Sequence, residues 1–216
     1  MEAVVFDMDG VIFDSERIIM ECWKEVADKY AIPNIEEACL LCLGVNAVKT
    51  KEIMQQKYGD NFPYEEYKKE ASALFHKRCK ERGLPKKDGA EELLCYLQKK
   101  QIKVALASST RRQVVLKELE DARLLHYFNQ IVCGDMVKRS KPEPDIFLKA
   151  CEELQVIPKN AYAIEDSYNG IRAAYLAGMK PIMVPDLAKP TAEMEQITEC
   201  ILPSLFEVKK YFQQLR

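Results

Sequence analysis

The sequence predicts an α/β fold: a Rossmann-like, doubly wound parallel sheet interrupted by an inserted all-helical domain. Three observations carry that expectation. Short apolar runs rich in β-branched residues alternate with amphipathic helical patterns, as in a parallel sheet covered by helices on both faces. Residues 15–82 break the alternation, because they hold helical patterns and no strand-like run. Polar clusters close four of the strand candidates in succession, where open α/β sheets form their ligand crevices.

The elements follow in order. Ala3–Phe6 reads as the first strand, and the helical stretches SERIIMECWKEVADKY, NAVKTKEIMQQKYG and PYEEYKKEASALFHKRCKERG come next. The simplest account is a core of residues 1–14 and 83–216 with a helical domain of 15–82 inserted after the first strand. Gly83-Leu-Pro85 suits the return hinge. Further strands are expected at Lys103–Ala107, Gln130–Cys133, Ala161–Ile164 and Pro181–Val184, with a weaker one near Cys200–Leu202. Helices are expected at about Asp88–Lys100, Arg111–Glu120, Pro144–Leu154 and Asn169–Ala177. Pro142 and Pro144 sit where a helix starts, and Gly178 stands where a C-cap would.

Composition narrows the function classes. Hydrophobic residues make up 48% and charged residues 31% of 216, and the formal net charge is −2. No overall field favours nucleic acid or an anionic membrane. No apolar run approaches the roughly 20 residues a membrane helix needs. The start MEAVVF is acidic and too short to read as a secretory signal. A cytoplasmic monomer is expected.

The eight cysteines are scattered and read mainly as small buried hydrophobes. Cys39-x-x-Cys42 and His76-x-x-Cys79 would together make a Cys3His zinc set, although neither pair has the tight turn such sites use. Lys68, Lys69, Lys77, Arg78, Lys80, Arg82, Lys86 and Lys87 crowd one stretch. They read as a solvated helix face, with steering of an anionic substrate as the alternative.

The chemistry lies at the strand ends. Asp7-Met8-Asp9-Gly10 follows the first strand, Ser108-Ser109-Thr110 the second, a loop with Lys138, Arg139 and Lys141 the third, and Glu165-Asp166-Ser167 the fourth. Asp7 and Asp166 at adjacent strand ends would repel unless a cation sat between them. All-oxygen ligands beside a phosphate favour Mg²⁺. Asp9, re-aimed by a turn that Gly10 permits, can offer its backbone carbonyl to the metal and its side chain to a leaving oxygen. Ser108 and Lys141 supply a hydroxyl donor and a fixed positive charge for a phosphoryl group. Each motif alone has a bland reading as a turn, a cap or an acidic helix start. Their order at four strand ends does not.

VVFDMDGVIFDSE, ALASST, SKPEPDIF and AIEDSYNGIRAAYLAGM together resemble the four motifs of the haloacid-dehalogenase (HAD) superfamily, in its group with a small helical cap. The resemblance spans the whole chain. It implies that Asp7 is a nucleophile forming an aspartyl-phosphate and that Asp9 is the general acid and base. It implies Ser108, Ser109 and Lys141 as phosphate-binding residues. It implies that Asp7, the backbone oxygen of Asp9, and Asp166 hold Mg²⁺, with Glu165 beside them as a ligand through water or a supporting group, and that the substrate is a small phosphorylated metabolite. The presence of Asp9 and Asp166 argues against the metal-free dehalogenases and the phosphonate hydrolases. Cap residues Ser15, Ile19, Trp23, Gly44, Val45, Asn46 and Lys49 are the expected substrate selectors. Asp14, Trp23 and Leu43-Gly44-Val45 look like β-phosphoglucomutase-like proteins. Ile19 and Ala47, however, stand where those proteins carry a histidine and an arginine, which favours simple hydrolysis over a mutase. A phospho-acceptor receiver switch is the non-enzymatic alternative. It fits less well, because receivers are shorter and have no helical insert after the first strand.

Overall fold

The computed structural model describes residues 1–215. Strand β1 (Ala3–Phe6) is buried at all four positions and lies at the centre of the sheet. It pairs in parallel with β2 (Lys103–Ser108) on one side and β4 (Ala161–Glu165) on the other. With β3 (Gln130–Cys133), β5 (Lys180–Met183) and β6 (Cys200–Ile201), the order is β3-β2-β1-β4-β5-β6, all parallel. The winding reverses at β1, so the crevice of this doubly wound sheet opens at the carboxyl ends of β1, β2 and β4.

Because side chains alternate along a strand, the two faces carry different residues. One face presents Val4, Phe6, Val104, Leu106, Tyr162 and Ile164 to helices α5 (Ala90–Lys99) and α10 (Leu205–Gln214). The other presents mostly small residues, Ala3, Val5, Ala105, Ala107, Ala161 and Ala163. The short alanine side chains let α7 (Asp145–Leu154) and α8 (Tyr168–Leu176) seat close to the strands, with Phe147 and Ala173 buried between. Helix α6 (Arg112–Asp121) covers the β2–β3 side through Val115 and Leu119.

Between β1 and α5 run α1 (Ser15–Lys29), α2 (Ile35–Leu41), α3 (Ala47–Tyr58) and α4 (Tyr64–Arg82). They pack on a core of their own that includes Val26, Ile35, Ala38, Met54, Tyr64 and Tyr67. The two chain crossings run side by side: Asp14 N–H donates to the Pro85 carbonyl at 2.9 Å and Lys87 N–H to the Ile12 carbonyl at 2.8 Å.

The expected strands and helices agree with these within a residue or two, but three helices were not expected. Helix α2 is short, and its IEEACLL has no clean apolar period. The six-residue α9 (Ala192–Ile197) follows a proline-rich loop. Helix α10 had a readable start, since Ser204 caps the Glu207 N–H at 3.4 Å in a Ser-x-x-Glu pattern. No helix among the described residues is long and apolar enough to cross a membrane.

The tight alanine face has a measurable consequence. Ala163→Leu should cost about 1–3 kcal/mol, the usual overpacking penalty, read from the urea midpoint. A loss near zero would mean that α7 and α8 are not held close.

Candidate active site

The site begins at the end of β1. Asp7 N–H donates to the Ile164 carbonyl at 3.0 Å, which continues the ladder one residue beyond the strand and fixes the Asp7 carboxylate beside the end of β4. The DMDG turn then closes through Gly10 N–H on the Phe13 carbonyl at 2.9 Å. Gly10 has φ +78°, and any Cβ there would collide with the Asp166 carboxylate. Glycine is therefore required twice over, for the backbone angle and for the space.

Lys141 arrives from the loop after β3 and is fully buried. Its ammonium donates to Asp7 Oδ1 at 2.5 Å, Glu165 Oε1 at 2.6 Å and the Ala107 carbonyl at 3.1 Å. All three donors of the ammonium are thus used. Burial would lower its pKa, but Asp7 and Glu165 outweigh burial and hold it above the ordinary lysine value.

Glu165 spends its second oxygen on Asp166 N–H, Ser167 N–H and Ser167 Oγ, at 2.9–3.0 Å. Both of its oxygens are engaged, so it orients Lys141 and the start of α8. It was expected beside the direct metal ligands, reaching the metal through water or supporting those that do. Asp166 is the opposite case, because its Oδ2 is buried and has no hydrogen-bond partner. Ligand atoms of Asp7, Glu165 and Asp166 lie within 4.8 Å of one another. Three buried carboxylates against one ammonium, with one oxygen left open, suit a hard divalent cation. The donor set fits Mg²⁺, with Asp7 and Asp166 as its side-chain oxygens.

Asp9 points into the adjoining cavity. Ser15 Oγ donates to its Oδ1 at 2.6 Å and Thr110 Oγ1 to its Oδ2 at 3.1 Å. Burial raises the Asp9 carboxyl, and the two hydroxyls pull it back in part. Ser108 is buried, and its hydroxyl accepts from Thr110 N–H at 3.1 Å.

Ser109, expected to bind phosphate, lines the cavity, and its hydroxyl donates to the Gly44 carbonyl at 2.9 Å, which holds the α2–α3 loop. Ser15 is not on the cavity wall. It is buried, because its short side chain turns inward to Asp9. Lys49 lies off the cavity wall, drawn to Glu52 at 2.8 Å on the surface of α3. Ile19, Trp23, Gly44, Val45 and Asn46 do line the cavity. Thr110 was in view as part of the Ser108-Ser109-Thr110 run but was not singled out. Glu118 gave no motif signal at all; it lines the cavity from α6, where burial and then the Asp9 charge push its carboxyl up to about 8.

The loop 43–46 is pinned to the sheet side at three points. Besides Ser109, Ser140 Oγ accepts from Asn46 N–H at 2.9 Å, and Asn169 Nδ2 donates to the Leu43 carbonyl at 3.0 Å. Gly44 has φ +73°, and a Cβ on it would strike Ser167 Oγ.

The cysteine and histidine residues weighed for zinc do not gather. Among the described residues the acidic trio is the only metal-competent group of three or more such side chains. Burial pushes the Cys42 thiol up to about 12, against the thiolate that zinc requires. In the basic stretch, Arg78 pairs with Glu21 and Glu25, Lys86 with Glu91, and Lys87 with Asp186. Lys68 alone of that stretch lines the cavity.

The sequence profile of the haloacid dehalogenase-like hydrolases matches residues 4–184. The chain belongs to that family. It is 36% identical over 186 residues to a phosphorylated carbohydrates phosphatase of Thermotoga maritima, covering 84% of each chain. It is 34% identical over 188 residues to the β-phosphoglucomutase of Bacillus subtilis, covering 83% of this chain and 81% of that one. The crystal structure of a β-phosphoglucomutase from Clostridium difficile superposes with TM-score 0.81 at 25% identity, covering 99% and 96%. This family member is an enzyme, and its relatives include both phosphatases and mutases.

The carboxylate cluster sets a pH test. Burial, opposed by Lys141, pushes Asp7 from its ordinary 3.8 up to about 8 when no cation is present, and burial with Glu165 raises Asp166 well above the usual range. Between those values the native state keeps protons that the unfolded chain has released. Stability of the metal-free protein should therefore fall as pH rises from 4 towards 8. A bound Mg²⁺ would replace those protons, so its gain in Tm should be larger at about pH 8 than at about pH 5.5. Calorimetric melts at both pH values check this, and an equal gain would contradict it.

Proposed function

We propose that the chain is a Mg²⁺-dependent phosphatase that hydrolyses a small phosphomonoester through an aspartyl-phosphate on Asp7. One observation carries the reading. Asp7 is wedged between the Lys141 ammonium and the open Asp166 oxygen, with Asp9 held beside it on the cavity wall. Asp7 and Asp166 would hold the cation, together with the Asp9 backbone carbonyl. When bound, the cation supplies positive charge against the phosphoryl oxygens.

Lys141 holds the Asp7 carboxylate by one oxygen, leaving the other to attack phosphorus. As the ester bond breaks, the leaving oxygen takes a proton from the Asp9 carboxyl, whose pKa burial raises. Asp9, now a carboxylate, accepts a proton from the water that attacks the aspartyl-phosphate. Inorganic phosphate leaves, and both aspartates return to their starting states. Ser108 offers a hydroxyl to the phosphoryl group, and Lys141 offsets its charge.

The mutase is the second reading, favoured by the β-phosphoglucomutase relatives. Ile19 and Ala47 line this cavity and offer no cation for the far phosphate of a bisphosphate intermediate. That supports water as the acceptor. The four helices of 15–82 act as a cap, and the paired crossings at 12–14 and 85–87 are its hinge.

Asp7→Asn should lower steady-state phosphate release from p-nitrophenyl phosphate or sugar phosphates by about 10³-fold or more, since no nucleophile remains. A variant rate within about tenfold of the wild-type rate would overturn the mechanism. Conversion of β-glucose 1-phosphate to the 6-phosphate faster than phosphate release would establish the mutase instead. Removing the two hydroxyls on Asp9, as Ser15→Ala with Thr110→Val, should shift the pH profile of kcat upward, because both donors lower the Asp9 pKa. A loss of about 10–100-fold in kcat should accompany that shift. An unmoved profile would remove them from any part in tuning Asp9.

A further inference from the structure

The cavity above Asp7 and Asp9 measures about 640 Å³, far more than a phosphoryl group fills. Ile19 and Trp23, four residues apart on α1, present one continuous strip. Ala71 and Phe75 repeat that spacing on α4, and Val114 closes the strip from α6. Helices α1 and α4 pack directly against each other, so the two strips adjoin.

Trp23 is preset in this wall. Its ring meets Tyr67 edge-on, with centroids 5.6 Å apart at 89°, and the Tyr67 hydroxyl donates to its backbone carbonyl at 2.5 Å. Little side-chain freedom is then lost when a ligand lies against it. A polyhydroxy sugar laid on Ile19, Phe75 and Val114 would meet no hydrogen-bonding group from those side chains, although Lys68, Ser72, His76 and Glu118 also line the cavity. A flat aromatic ring gives up nothing polar from its faces and gains contact with Trp23 and Phe75.

We propose that the leaving group of the substrate carries an aromatic ring of nucleobase size, seated on the strip of Ile19, Trp23, Phe75 and Val114 while its phosphate meets Asp7. This deepens the phosphatase reading and rests on it. The leaving alcohol is then a nucleoside or a similar hydroxyalkyl heterocycle, and a bare sugar phosphate is the poorer substrate.

A matched pair isolates the ring. Ribose 5-phosphate and the nucleotides UMP and AMP share a phosphorylated pentose and differ in the base. With Mg²⁺, kcat/KM for the better nucleotide should exceed that for ribose 5-phosphate by about tenfold or more, the scale of one base stacked on an aromatic side chain. Trp23→Ala should bring the ratio towards one, and Trp23→Phe should keep most of it. Trp23 is the chain's single tryptophan, so its fluorescence reports on the strip without turnover. In Asp7→Asn with Mg²⁺, one of the two nucleotides should quench that emission saturably and ribose 5-phosphate should not. A ratio of one or below for both nucleotides, or equal quenching by ribose 5-phosphate, overturns the proposal. Sustained turnover of acetyl phosphate with no nucleotide preference would sink this proposal and leave the phosphatase reading standing. Where no phosphate ester turns over, that reading fails, and the fluorescence titration alone decides whether the strip binds a ring.

Discussion

The site is organised around one buried ammonium. Lys141 sits between Asp7 and Glu165 with no exposed surface, and each of its donors has a partner. An ion cluster out of water is costly unless its geometry is saturated. Here saturation is reached on the lysine side and left incomplete on the acid side, where Asp166 Oδ2 has no partner. The fold brings three carboxylates to one ammonium and leaves the remaining negative charge facing a single small space. Glycine at position 10 keeps that space open, because any side chain would enter it.

This arrangement depends on the sheet order. Parallel pairing of β1 with β4 sets Asp7 beside the end of β4, and pairing with β2 brings Ser108 and Thr110 to the same edge. Lys141 must reach in from the loop after β3, which two strands separate from β4, and its buried stem passes Phe147, whose ring centroid is 5.0 Å from the ammonium. The small residues on that face of the sheet make the close approach of α7 possible. Packing and charge placement are therefore coupled: a sheet face too bulky for α7 would also displace the lysine.

Much of this was legible in the sequence, and the gaps have physical reasons. The strand-end motifs announced Asp7, Asp9, Ser108, Lys141 and Asp166 because carboxylates and lysines seldom close buried strands without a purpose. Strand positions were readable because each run is apolar and ends in a polar residue. The hydrogen bonds that Ser15 and Ser109 make were not legible, for a common reason. A hydroxyl near a site can turn to substrate, to a neighbouring carboxylate or to a backbone carbonyl, and only tertiary structure decides which. Glu118 was invisible because its place on the wall comes from how α6 faces α4 across the cleft, a contact between distant segments with no local pattern. Helix α2 was missed because a seven-residue helix has too few turns to show a period.

The pinning of loop 43–46 carries a separate lesson. All three bonds that hold it take the loop's main chain, at Leu43 O, Gly44 O and Asn46 N, and the side chains that hold it belong to the other partner, at Asn169, Ser109 and Ser140. Apart from Gly44, whose backbone angle and contact with Ser167 forbid a side chain, the loop's own side chains are not needed for attachment. Attachment of the loop is thus written in residues outside it. A lineage, or a designer's library, can rewrite position 45 without touching these three bonds, whereas Leu43 is buried and Asn46 caps α3 through its side chain.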